Sequence, residues 1–159
     1  MIYGIIPCRL ESSRLKQKPL LEIDGLPLIV HTLKRAMMSK KLDHVIVCTD
    51  SKKIKKVVEN YGGKAIISKK KHDTGTDRIA EFASGLNSKD IIIDIQGDYP
   101  LLKPKNIDKL ISFHQKNNYE IVCPVTRIYT AKSANIVKIV KNKFGRILYF
   151  SRAQIPFEF

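Results

Sequence analysis

Ile2-Tyr3-Gly4-Ile5-Ile6-Pro7 runs directly into Cys8-Arg9-Leu10-Glu11-Ser12-Ser13-Arg14-Leu15-Lys16-Gln17-Lys18-Pro19. The first stretch is apolar, rich in β-branched residues and of strand length. The second is a polar, basic loop in which Arg9, Ser12, Ser13, Arg14 and Lys18 fall within ten residues. Guanidinium, ammonium and hydroxyl groups on a turn that also presents backbone N–H groups suit a triphosphate. The same composition fits an ordinary solvated basic loop, and the loop alone does not decide between the two.

Outward from this stretch, strand-like runs alternate with helical patterns, the signature of βαβ units around a mostly parallel sheet. Leu20-Leu21-Glu22-Ile23 reads as a short strand ending in the Asp24-Gly25 turn. Pro27 is suited to the first helical position, and Leu28, Ile29, Thr32, Leu33 and Ala36 follow at the spacing of a buried helix face that ends near Ser39. His44 to Thr49 is the next strand. Asp50 or Ser51 then caps a helix carrying Ile54, Val57 and Val58, which Gly62-Gly63 stops. Ala65-Ile66-Ile67 is a strand, and a helix after Gly75 carries Ile79, Ala80, Phe82 and Ala83.

Ile91 to Ile95 is nearly continuous in apolar residues and reads as the central strand, covered on both faces. Pro104 opens a helix through Leu110 and Phe113, and 121–125, 136–140 and 147–150 read as later strands. No internal repeat or linker interrupts the pattern, so one core is expected. The fold class is α/β, with a mostly parallel, helix-covered sheet.

The 159 residues are 43% apolar and carry 29 basic against 15 acidic side chains, a net charge of +14. Most of the excess is lysine, spread along the chain without interleaved aromatics to stack on bases, so a solvated lysine-rich surface is expected rather than a nucleic-acid partner. No stretch is long and apolar enough to span a bilayer. The opening residues lack the basic lead and apolar run of a secretory signal, from which a cytoplasmic location is expected. Cys8, Cys48 and Cys123 are far apart, have no metal-ligand spacing and read as buried free thiols. No His-Cys-carboxylate constellation is visible around His31, His44, His72 or His114, which argues against zinc hydrolysis and thiol catalysis.

At the carboxyl end of the 91–95 run stands Gln96-Gly97-Asp98. Gly97 permits close backbone approach, and the Asp98 carboxylate is placed to hold Mg²⁺ against phosphate oxygens or, alternatively, to make a simple turn before Pro100. Asp94, inside the strand, reads as structural or as a second acidic partner.

Four ordered segments give a resemblance. Ile5 to Leu20 is similar to the I-I-P-A-R-x-x-S-x-R-L-P-x-K-P-L opening of 3-deoxy-manno-octulosonate (Kdo) cytidylyltransferases, and Ile23 to Ile29 looks like its continuation. His72 to Glu81 resembles H-x-S-G-T-[DE]-R-[IL]-A-E, Gln96 to Pro100 resembles Q-G-D-E-P, and Tyr149 to Pro156 resembles Y-F-S-R-x-x-I-P. The resemblance implies a Rossmann-like nucleotidyltransferase domain that converts CTP and Kdo to CMP-Kdo and diphosphate for lipopolysaccharide synthesis. It also implies that Arg9, Ser13, Arg14 and Lys18 hold the triphosphate, that Thr74, Gly75, Arg78 and Gln96 line the cytidine side, and that Asp98 carries Mg²⁺. Arg9, Arg14, Lys18 and Asp98 are then the catalytic set.

The pattern departs from the family at three places. Lys16 replaces a proline, Tyr99 replaces the glutamate after Asp98, and Ser133-Ala134 stands where the family has N-P before N-x-V-K. Family members also continue for roughly half as much chain again, about a small domain's worth. Residues 1–159 thus correspond to the nucleotidyltransferase part. The further third is expected to supply much of the sugar pocket, the homodimer contacts and a second metal-binding aspartate. Synthetases for 8-amino-Kdo or a nonulosonic acid are neighbouring alternatives within the enzyme class, and a catalytically silent nucleotide-binding remnant is the alternative outside it.

Overall fold

A computed structural model describes residues 1–11, 15–128 and 133–156. Ser13 and Arg14 therefore lie outside the described residues. The chain forms two compact units, 1–120 and 121–159.

In the first unit, β1 (Ile2–Cys8), β4 (His44–Thr49), β5 (Lys64–Ile67) and β6 (Ile91–Asp94) form a parallel sheet in the order β5-β4-β1-β6. A two-residue hairpin, β2 (Glu22–Ile23) and β3 (Leu26–Pro27), follows the basic loop. Its turn places Asp24 at φ 47° and Gly25 at φ 74°, the left-handed pair that a tight hairpin requires. The helices are α1 (Leu28–Met37), α2 (Lys52–Asn60), α3 (Gly75–Ala83) and α4 (Pro104–Asn117).

Successive strand side chains face opposite sides, and the core divides accordingly. Ile6, Cys8, Val47 and Ile93 pack on one face with Ile29 and Leu33 of α1, Ile54 and Val58 of α2, and Ile107 and Ile111 of α4. Ile5, Ile46 and Cys48 pack on the other with Ile79 and Phe82 of α3. Both faces are covered, which is why these strands are apolar almost throughout.

The chain runs from β1 through β4 to β5 in one direction and then returns to the far side of β1 for β6. The loops after β1 and β6 therefore diverge from adjacent strands at the point where the order reverses, the usual place for a ligand crevice in an open α/β sheet.

Three expectations for this unit are corrected. The 91–95 run is not central: β6 is an edge of the described sheet and β1 is interior. Continuous apolarity reports cover on both faces, which an edge strand beneath helices also has. Leu20 belongs to a 3₁₀ turn over Lys18–Leu20, so only Glu22 and Ile23 pair as a strand. Pro27 stands just before the first helical residue, at φ −56° and ψ 142°.

The second unit contains an antiparallel pair, β7 (Lys138–Lys141) and β8 (Ile147–Ser151). Residues 121–125 belong to no strand among the described residues. Lys138 is buried, and its Nζ donates to the carbonyls of Ser133 and Arg152 at 2.8 and 2.9 Å. Arg152 Nη1 donates in turn to the carbonyls of Ala134 and Asn135. The segment from Ser133 to Lys138 and the Arg152 segment thus hold each other.

Candidate functional site

The carboxyl end of β1 is the hub. Cys8, its last residue, is buried, and burial pushes its thiol up to about 12, with Asp50 and Asp98 adding to the rise and Arg78 opposing it. A thiol in that state is a packing group rather than a nucleophile. Asp50, Arg78 and Asp98, from three different loops or helices, therefore surround the end of one strand.

Arg9 follows at once and is exposed, with no ion-pair partner among the described residues. Lys18, at the far end of the basic loop, donates from Nζ to Asp98 Oδ2 at 2.6 Å. The loop after β1 and the loop after β6 are thereby joined through a cation and a carboxylate. The Asp98 loop is also held from below, since the buried Thr32 hydroxyl of α1 donates to the Gly97 carbonyl at 3.1 Å. A Cβ on Gly97 would stand 3.3 Å from the Pro7 carbonyl oxygen and 3.4 Å from Ile29 Cδ1, so glycine permits the close approach of the two loops.

On the opposite face, the amino end of α3 abuts β1: a Cβ on Gly75 would lie 3.3 Å from Pro7 Cγ. Thr74 caps this helix reciprocally with Asp77, accepting from the Asp77 N–H at 3.1 Å while its own N–H donates to Asp77 Oδ2 at 3.2 Å. Gln96 is exposed beside the β6 terminus, and its Nε2 donates to Asp94 Oδ1 at 2.9 Å. Desolvation pushes the Asp94 carboxyl above its ordinary value, and the Gln96 bond partly offsets this.

Arg78 behaves differently from the other cations. Its side chain is 4% exposed; Nη2 donates to Asp50 Oδ2 and Nε to Ser68 Oγ, both at 3.1 Å. Ser51 takes the helix cap, accepting from the Ile54 N–H, which leaves Asp50 free for this pairing. Sequence reasoning saw Asp50 only as a candidate cap and Thr32 only as a helix-face residue. The clue to Asp50 was its position directly after a parallel strand. Thr32 gave the weaker sign of a hydroxyl inside an otherwise apolar face.

Glu81 of α3 holds the preceding loop, accepting from the Lys69 N–H at 2.7 Å and pairing with His72 Nε2. A groove of about 620 Å³ lies alongside, with Cys48, Ile66 and Phe82 among its apolar walls and Lys69, His72 and Glu81 among its polar ones.

The described arrangement thus offers exposed cations, an exposed carboxylate and a helix terminus around one crevice. A family profile described as Cytidylyltransferase matches residues 3–159. The chain belongs to the cytidylyltransferase family. It is 42% identical, over 97% of its length, to a 3-deoxy-manno-octulosonate cytidylyltransferase of Thermodesulfovibrio yellowstonii, of which it covers 64%. With the enzyme of the same name from Nitratiruptor sp. it shares 38% identity over 96% of its length, covering 66% of that relative. Among solved structures, a CMP:2-keto-3-deoxy-manno-octonic acid synthetase complexed with CTP superposes with a TM-score of 0.84 at 34% identity, covering 98% of this chain and 66% of the other. The chain therefore spans about two-thirds of these cytidylyltransferases, and the expected α/β nucleotidyltransferase fold is shown. No helix is long and apolar enough to cross a membrane among the described residues.

Proposed function

We propose that the chain carries the nucleotide-binding part of a cytosolic cytidylyltransferase that joins CTP to an acidic sugar, 3-deoxy-manno-octulosonate, releasing diphosphate. The observation that carries this reading is the meeting of Lys18 and Asp98 at the strand-order reversal, in a chain that matches the cytidylyltransferase family from residue 3 onward. A cation for phosphate and a carboxylate for a metal stand within one ion's reach. Homodimer assembly belongs to the same proposal for a chain of the relatives' length.

In this reading Arg9 and Lys18, with Ser13 and Arg14 of the same loop, neutralise the triphosphate, while Thr74, Gly75 and Gln96 fix the cytidine. Arg78, engaged with Asp50 and Ser68, supports the cytidine side from behind. The sugar's anomeric hydroxyl forms a new O–P bond at the α-phosphorus, its proton passes to solvent, and the bond to the β-phosphate oxygen breaks in line. Catalysis here consists of alignment and charge neutralisation, and the side chains present suit both.

The donor set at Asp98 fits Mg²⁺. The carboxylate is exposed and already attracts a cation. Mg²⁺ is commonly held by one or two carboxylates plus phosphate oxygens and water, which suits that geometry. When bound, the ion would supply positive charge to the phosphate oxygens.

The test is diphosphate release by the purified chain with CTP, Mg²⁺ and Kdo, against sugar-free, other-sugar and other-nucleotide controls. Release that requires both CTP and Kdo supports the proposal. CTP binding without release supports the nucleotide-binding remnant, which Tyr99 favours by standing, 54% exposed, where the family's second acidic group would be. Neither binding nor release overturns both.

A further inference from the structure

Asp50 lies in none of the segments that carry the family resemblance, yet its two carboxylate oxygens reach two different parts of the crevice. Oδ1 accepts from the Leu10 N–H at 3.2 Å, and Oδ2 accepts from Arg78 Nη2 at 3.1 Å. Leu10 N belongs to the peptide that follows Arg9, at the start of the basic loop. Arg78 belongs to the first turns of α3, whose amino end carries Thr74 and Gly75. The carboxylate therefore ties the loop assigned to the phosphates to the helix end assigned to the nucleoside.

The two ends of this tie differ in burial. Arg78 is enclosed, whereas Asp50 is 42% exposed and opens toward solvent at the strand terminus. Burying the carboxylate along with the guanidinium would add a desolvation cost that the attraction can fail to repay. This one sits on the rim, where it also reaches the loop backbone. It has no second duty as a helix cap, because Ser51 performs that role.

We propose that Asp50 is a positioning residue that sets the register between the triphosphate loop and the nucleoside end of α3, so that both grip one CTP. The proposal rests on the cytidylyltransferase reading above. Its chemistry is specific. Asparagine has nearly the same shape, but only one of its two terminal atoms accepts hydrogen bonds. Asp50→Asn can therefore keep only one of the two bonds, and its oxygen stays with the charged Arg78, leaving the Leu10 N–H without its acceptor. Ser68→Ala provides the contrast, since it removes the other hydrogen bond to Arg78 and leaves the link to the loop untouched.

The experiment measures CTP affinity by calorimetry, exchange of the Leu10 amide hydrogen, and thermal midpoint, on the full 159-residue chain and its variants. Asp50→Asn is expected to weaken CTP binding about tenfold and to speed Leu10 exchange by a similar factor. Ser68→Ala is expected to lower the midpoint while leaving both other readings within about twofold. Should Asp50→Asn not fold, Asp50→Glu serves: it keeps the charge for Arg78, but its extra methylene displaces the oxygen from Leu10, so affinity falls while the midpoint holds. Unchanged CTP affinity in the Asp50 variant, or an equal loss in Ser68→Ala, overturns the proposal alone. No CTP binding by the unsubstituted chain overturns it together with the functional reading.

Discussion

Lys18 Nζ and Asp98 Oδ2 lie 2.6 Å apart although 80 positions separate them in sequence. Both side chains are open to solvent, 39% and 46% exposed. A pair so open to water contributes about 0–1 kcal/mol, too little to be a structural clamp. In the proposed function it is an exchangeable contact, in which a phosphate would claim the ammonium and a metal ion the carboxylate.

That exchange predicts opposite effects for its two partners. Asp98→Asn is expected to lower Mg²⁺-dependent turnover by about a hundredfold or more while shifting unfolding by no more than about 1 kcal/mol. Lys18→Met is expected to weaken CTP binding but to strengthen Mg²⁺ binding without nucleotide, because Asp98 loses its internal competitor. Calorimetric titrations with Mg²⁺ alone and with CTP check both. Unchanged metal affinity in Lys18→Met would show that the pair does not compete with the ion.

Thr32 tests whether the Asp98 loop is held by a single buried bond. Thr32→Val preserves shape, removes the donor to the Gly97 carbonyl and is expected to cost about 1–2 kcal/mol in urea denaturation. CTP affinity should fall with it, since Gly97 adjoins Asp98. Gly97→Ala acts from the other side. Its new Cβ would press the Pro7 carbonyl and Ile29, costing about 1–3 kcal/mol, and a variant of wild-type stability would show that these loops have slack.

How far the sequence could be read follows from these same residues. Ile2 to Pro7, His44 to Thr49, and the buried positions of α1 and α2 were legible because their local periodicity matches the faces they bury. Strand order was not: Ile91 to Ile95 looks alike at a sheet's centre or at a helix-covered edge, because periodicity reports cover and not neighbours. Residues 121–125 have a strand's composition and belong to no described strand, since β pairing needs a partner that composition does not name. Within the site, Arg9, Lys18 and Asp98 were legible as charges on loops. The sharing of Asp50 between Leu10 N and Arg78 was not, because it depends on strand register.

The thiols give a prediction independent of any ligand. Burial above all pushes Cys48 up to about 11, and Cys8 is higher still, whereas Cys123 is only partly buried. At pH 8 almost no thiolate forms at Cys8 or Cys48, and reagents reach them poorly. A disulfide-exchange reagent should therefore modify Cys123 first and the other two only in denaturant. Rapid labelling of all three in the folded chain would contradict the packing at the end of β1.

Glu81 supplies a pH dependence whose sign is fixed. Its carboxyl is held below the ordinary 4.5, chiefly by the His72 hydrogen bond and next by the Lys69 N–H. The folded form therefore keeps the carboxylate ionised in a range where the unfolded chain has begun to bind a proton. The resulting stability is fully present above about 4.5 and is lost as pH falls through the lower folded value. Glu81→Gln removes the titrating group. Its urea midpoint should lie furthest below that of the unsubstituted chain above pH 4.5, and the gap should close as the solution is acidified. Two curves that stay parallel down to low pH would mean that Glu81 does not hold the loop ahead of α3 through its charge.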